Sequence, residues 1–172
     1  MEKTPKSLRL QIGLFGRTNV GKSSFLNLVA GQDVAITSPV AGTTTDVVEK
    51  TMELLPLGPV VFLDTAGLDD RSVLAEARMK KTVKIFDRSD VITLVVEPNI
   101  WTDYEEKILE EAKKREVPPV VVVNKIDLAS KDEVDFACRM VHEINPGARI
   151  ICTQAQQELE PALISELAPW LI

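Results

Sequence analysis

The sequence has one histidine and two cysteines in 172 residues. It also lacks any apolar run near the ~20 residues that cross a bilayer as a helix. Cys138 and Cys152 are far apart in the chain and make no metal-ligand spacing, so no metal cluster is expected from the chain's own cysteines. Isolated thiols suit a reducing, cytoplasmic setting. The single histidine, His142, ends a helical pattern with no partner in view and reads as a surface or capping residue. No internal repeat and no low-complexity stretch is present. The net charge of −6 removes any global attraction to nucleic acid or an anionic membrane. Residues 1–7 form a short polar tail with Lys3, Pro5 and Lys6, and no signal-type apolar core follows it, so secretion is not expected.

The remainder is ordinary globular material, 45% hydrophobic and 27% charged. Residues 8–172 suit one compact domain. Apolar strand-like runs alternate with helical periods, which predicts parallel βαβ units. Strands are expected over about Leu8–Phe15, Val47–Leu55, Val60–Leu63, Val91–Val96, Val120–Val123 and Arg149–Cys152. Helices are expected over about Lys22–Ala30, Val73–Phe86, Asp103–Arg115, Asp132–His142 and Glu160–Ile172. The second and third strands are joined by Leu55-Pro56-Leu57-Gly58-Pro59, a turn by composition. Strands joined this tightly pair antiparallel, at the edge of an otherwise parallel sheet. The fold class is therefore a three-layer α/β sandwich with six strands, and its site lies at the strands' carboxyl ends. Met79, Val83 and Phe86 recur at helical spacing and read as core. The basic stretch Arg78, Lys80, Lys81, Lys84 and Arg88 reads as a solvated face.

Four stretches carry chemistry. Gly16-Arg17-Thr18-Asn19-Val20-Gly21-Lys22-Ser23, between an apolar strand and a helix, fits a phosphate-cradling loop. Its glycines let backbone N–H groups converge on phosphate oxygens, and the next helix presents its positive end to the same anion. Lys22 reaches the β and γ phosphates, and the Ser23 hydroxyl is placed to ligate Mg²⁺. Gln32–Thr45 has no clear period and ends in Gly42-Thr43-Thr44-Thr45-Asp46. Its position suits a switch that senses the γ-phosphate, with Thr44, or else Thr43, completing the Mg²⁺ shell. Asp64-Thr65-Ala66-Gly67 ends a strand. Asp64 is then a second Mg²⁺ contact, and Gly67 allows its N–H to approach the γ-phosphate. Leu68 stands where a water-orienting glutamine is found in some nucleotide hydrolases, so turnover should be slow or another residue must serve, with Asp69, Asp70 and Glu76 nearby. Asn124-Lys125-Ile126-Asp127 follows a buried strand. The Asp127 carboxylate can accept from guanine N1–H and the exocyclic amine, a donor pair adenine lacks. The Lys125 stem can lie along the base, and Asn124 can address N7 while holding the loop. Together these predict Mg²⁺-dependent GTP binding and hydrolysis to GDP and phosphate.

These motifs, with Ser24 extending the first and Leu68 the third, resemble the Era/TrmE branch of the translation-factor-like GTPases over nearly the whole chain. Thr43-Thr44-Thr45-Asp46, Leu55–Val61 and Leu68-Asp69-Asp70 further resemble the HydF family, the GTPases of iron-only hydrogenase maturation. The resemblance implies an Era-like P-loop fold and a K⁺ ion near the phosphates. Asn19 would help hold that ion, with Ser38 and Val40 at the positions of the switch carbonyls. It implies that Glu76, counted without gaps from Asp64, orients the attacking water through an intervening water. It places a base-contact loop at Cys152-Thr153-Gln154-Ala155, where relatives have a Ser-Ala pair. It also implies partners, namely hydrogenase and its other maturation proteins. The family's dimerisation and iron–sulfur domains would lie outside these residues, so no iron–sulfur cluster is expected here. Neither nucleic acid nor membrane is an expected partner. Two other readings stay open: a GTPase of ribosome assembly or tRNA modification, and a nucleotide-gated interaction module with incidental turnover.

Overall fold

A computed structural model describes residues 9–17, 20–30, 47–54, 58–64 and 75–153. The β-branched and leucine-rich runs become strands, buried most fully at the centre of the sheet. These are β1 (Leu10–Phe15), β2 (Val48–Leu54), β3 (Gly58–Asp64), β4 (Val91–Val96), β5 (Pro119–Val123) and β6 (Arg149–Cys152). Every residue of β4 and of β5 is buried, as expected for strands covered by helices on two sides. The strand order is β2-β3-β1-β4-β5-β6. β2 runs antiparallel to β3, and all other neighbours are parallel. Pairing begins at Gly58 opposite Leu54, so Gly58 and Pro59 belong to the strand and not to the expected turn. Pro59 is accommodated because it lies at the start of β3.

The helices are α1 (Lys22–Ala30), α2 (Ala75–Arg88), α3 (Asp103–Lys114) and α4 (Lys131–Ile144). Phe25 and Leu26 of α1 pack on one face of the sheet with Ile12, Leu14, Phe62 and Val122. Ile85 and Phe86 of α2, Leu109 of α3 and Val141 of α4 pack on the other, against Phe15, Leu63, Leu94 and Val123. α3 and α4 each begin with a complete capping box, Thr102 with Glu105 and Ser130 with Glu133, which satisfies helix-end N–H groups that would otherwise be bare. A second sequence expectation fails: Met79 is 63% exposed, while Ile85 is buried beside Phe86. Among the described residues of α2, the buried ones lie toward its carboxyl end. The expected helix over 160–172 lies outside the described residues. Among the described residues, no helix is long and apolar enough to cross a membrane.

Register sets the site. Leu14 pairs with both Asp64 and Thr93, and Val123 pairs with both Val96 and Cys152. The residues after β1, β4, β5 and β6 therefore leave one edge of the sheet together.

Candidate nucleotide site

At the end of β1 the chain turns sharply into α1. A Cβ added at Gly16 would lie 2.9 Å from Val20 Cγ2 and 3.0 Å from the Val95 carbonyl oxygen. A Cβ added at Gly21, whose φ is +101°, would collide with Asn124 Nδ2. Gly21 thus serves two purposes: it takes a backbone conformation that side chains resist, and it makes room for the asparagine of the other motif. The Gly21 carbonyl accepts from Phe25 N–H at 2.8 Å, which begins α1. Lys22 is the first helical residue, and Ser23 and Ser24 are exposed beside it. No acidic residue occupies the first turn of α1, so the positive end of its dipole faces an incoming anion without competition.

Asp64 ends β3 at 6% exposure. Lys50 Nζ lies 2.8 Å from Asp64 Oδ2, and both side chains are nearly buried. Val48 is directly opposite Asp64 in the register, so Lys50 is its diagonal neighbour on the same face of the sheet. Nothing in the sequence reading singled out Lys50. Two-residue periodicity counted back from the aspartate's partner would have found it. Ser23 and Asp64 offer the hard oxygen donors that Mg²⁺ takes. Among the described residues no group of three or more His, Cys, Asp or Glu could hold a metal. Mg²⁺ is generally held by one or two protein oxygens together with substrate phosphates.

At the base end, Asn124 leaves β5 buried. Its Nδ2 donates to the Val20 carbonyl at 3.0 Å, and its Oδ1 accepts from the Thr153 hydroxyl at 2.9 Å. One amide thus ties the phosphate loop to the segment after β6. Thr153 N–H donates to Val123 O at 2.8 Å, and Ile126 N–H donates to Thr153 O at 3.2 Å. Lys125 takes a left-handed conformation, φ 58°, of the kind that costs of order 1–3 kcal/mol and persists only when its surroundings enforce it. Its Nζ is held 2.6 Å from Glu97 Oε1. Asp127 is exposed in the 3₁₀ turn Ile126–Leu128, available to a ligand. Thr153 is buried, and its hydroxyl acts on Asn124. The sequence reading missed Glu97.

Glu76 stands exposed in the first turn of α2. Thr18, Asn19, Ser38, Val40, Thr43, Thr44, Gly67, Leu68, Asp69, Asp70, Gln154 and Ala155 lie outside the described residues. Cys138 of α4 neighbours Cys152 at the end of β6, and both are free thiols. Burial first, and Cys152 second, pushes the Cys138 thiol up to about 11.

Comparison with known proteins agrees with the fold. The family described as "50S ribosome-binding GTPase" matches residues 11–125. GTPase Der of Wolinella succinogenes is 33% identical over 162 residues, covering 91% of this chain and 34% of the relative. tRNA modification GTPase MnmE of a Synechococcus strain is 36% identical over 160 residues, covering 90% of this chain and 33% of the relative. The chain thus spans about a third of the length of these relatives. Aquifex aeolicus Era bound to GDP·AlF₄⁻ superposes with a TM-score of 0.69 at 26% identity, covering 94% of this chain and 56% of that one.

Proposed function

The chain belongs to the 50S ribosome-binding GTPase family, and from that premise we propose that it binds Mg²⁺·GTP and hydrolyses it slowly to GDP and phosphate as a molecular switch. The observation that carries the reading is Asn124, which joins the phosphate loop to the base-recognition loop through Val20 and Thr153. The pocket is thereby one unit, with a cradle for phosphates at one end and the Asp127 carboxylate at the other. In the proposed step Lys22 and the α1 N-terminus neutralise charge on the phosphates. Ser23, Asp64 and Thr44 would hold Mg²⁺, which supplies further charge neutralisation when bound. Glu76 would orient the attacking water, and Asn19 with the carbonyls of Ser38 and Val40 would hold K⁺ where other GTPases use an arginine.

We extend the proposal to the biological role. The stretches Thr43–Asp46, Leu55–Val61 and Leu68–Asp70 favour a switch in hydrogenase maturation, with hydrogenase and its maturation proteins as partners. The family description and the tRNA modification GTPase favour a second reading, in ribosome assembly or tRNA modification. GTP turnover measured in KCl and in NaCl, for wild type and Glu76→Ala, tests the chemistry. K⁺ stimulation and a loss of at least about a hundredfold in Glu76→Ala are expected for a water-orienting residue. Equal rates in both salts remove the K⁺ site, and an unchanged rate in Glu76→Ala removes Glu76 from the step. Co-purification with hydrogenase-maturation proteins supports the first role, and co-purification with ribosomal RNA or tRNA supports the second.

A further inference from the structure

The phosphate loop is gripped from outside by the start of α3. Gly16 N–H donates to the Tyr104 hydroxyl at 3.1 Å. Arg17 Nε donates to Glu105 Oε1 at 2.7 Å, and another Arg17 nitrogen donates to the Ile100 carbonyl at 3.4 Å. Glu105 is 1% exposed, and a carboxylate so buried must be partnered. Its second oxygen is taken by Thr102, from the backbone N–H at 2.9 Å and from the hydroxyl at 2.7 Å. One buried carboxylate therefore joins the helix cap to the loop.

We propose that Tyr104 and Glu105 are positioning residues that hold the phosphate loop open for nucleotide before any nucleotide arrives. The proposal rests on the nucleotide-binding reading above. A loop fixed beforehand loses less freedom when phosphate enters. Arg17 is directed to Glu105, which sets it apart from a phosphate ligand and makes it the loop's anchor. The contacts precede any step that distinguishes GTP from GDP, so both nucleotides should depend on them equally.

The test is binding of a fluorescent GDP and GTP analogue to the 172-residue chain and to Glu105→Gln, Arg17→Met, the double variant and Tyr104→Phe. Glutamine also serves in a capping box, so Glu105→Gln spares the helix end and removes the charged partner. About a tenfold loss of affinity for both nucleotides is expected in each of the first two, as for a lost charge-assisted hydrogen bond. The double variant should be no weaker than the worse single, because each removes the same interaction. Tyr104→Phe should lose severalfold and should speed hydrogen exchange at the Gly16 amide in nucleotide-free protein, with turnover at saturating GTP unchanged in Glu105→Gln and Tyr104→Phe. If folded Glu105→Gln and Tyr104→Phe bind within twofold of wild type, the brace is refuted even if their melting temperatures fall. If wild type itself binds neither analogue, the nucleotide-binding reading fails first.

Discussion

At the base end of the pocket, the working groups are side chains held by hydrogen bonds to the Val20 carbonyl, the Thr153 hydroxyl and the Glu97 carboxylate. Asn124 is held by Val20 and Thr153, and Lys125 is held by Glu97. At the phosphate end the working surface is backbone: the turn at Gly16 and Gly21 and the open end of α1. The difference follows from what each end must recognise. A phosphate is a diffuse anion that many N–H groups can share. A guanine edge has a fixed donor pattern that one correctly placed carboxylate can read. Recognition by backbone tolerates sequence change but needs bracing, and recognition by side chain is exact but fails with a single substitution.

The sharpest way to break this contrast is to remove the charged side chain that joins the backbone at the phosphate end. Lys22→Ala should lower GTP affinity at least about a thousandfold, because a desolvated charge-assisted contact to the β and γ phosphates is lost. Equilibrium binding of a labelled nucleotide measures it, and a loss under tenfold would mean that the backbone cradle alone suffices. Asp127→Asn acts on the other end. It should weaken guanine nucleotides about a hundredfold or more and admit xanthine nucleotides, since an amide can donate where the carboxylate could only accept. Competition between GTP and XTP reads this directly, and an unchanged preference would move base recognition elsewhere.

Two further substitutions sharpen the picture of what surrounds the pocket. Lys50→Met leaves the Asp64 carboxylate buried without its cation. Breaking a buried pair costs about 3–5 kcal/mol, so Tm should fall by about 10 °C for a chain of this size. Added Mg²⁺ and GDP should recover part of that loss, and a Tm within 2 °C of wild type would make the pair dispensable. The smallest effect concerns the thiols. Cys138 is pushed up to about 11 from an ordinary 9.0, so the folded state holds that proton more tightly than the unfolded state. Its contribution to stability is present below about pH 9 and is lost as pH rises toward 11. Alkylation at pH 8 should therefore reach exposed Cys152 well before Cys138, and equal rates would contradict the burial argument.

Buried parallel strands announce themselves as continuous apolar runs, and Val91–Val96 is a strand with the expected bounds. The phosphate and base motifs were equally legible, since each is a contiguous string with its own spacing. What stayed hidden depends on register and on contacts between distant segments. Lys50 reaches Asp64 only through the β2–β3 pairing. Tyr104 and Glu105 reach Gly16 and Arg17 across 88 positions, and as sequence they read as the start of a charged helix. Met79 was misjudged because helical spacing identifies a stripe but not where along it the sheet ends. As sequence, Gly21 reads as a residue that lets backbone N–H groups converge on phosphate; its neighbour Asn124 gives the second reason for it.

Isothermal titration calorimetry of the folded chain with GTP, GDP and ATP, in buffer containing Mg²⁺, tests the two-ended pocket most directly. The account predicts saturable binding of both guanine nucleotides and ATP affinity weaker by at least about a hundredfold, the discrimination expected when buried polar groups are left unpaired. ATP binding as tightly as GTP, or no heat with any of the three, would contradict it.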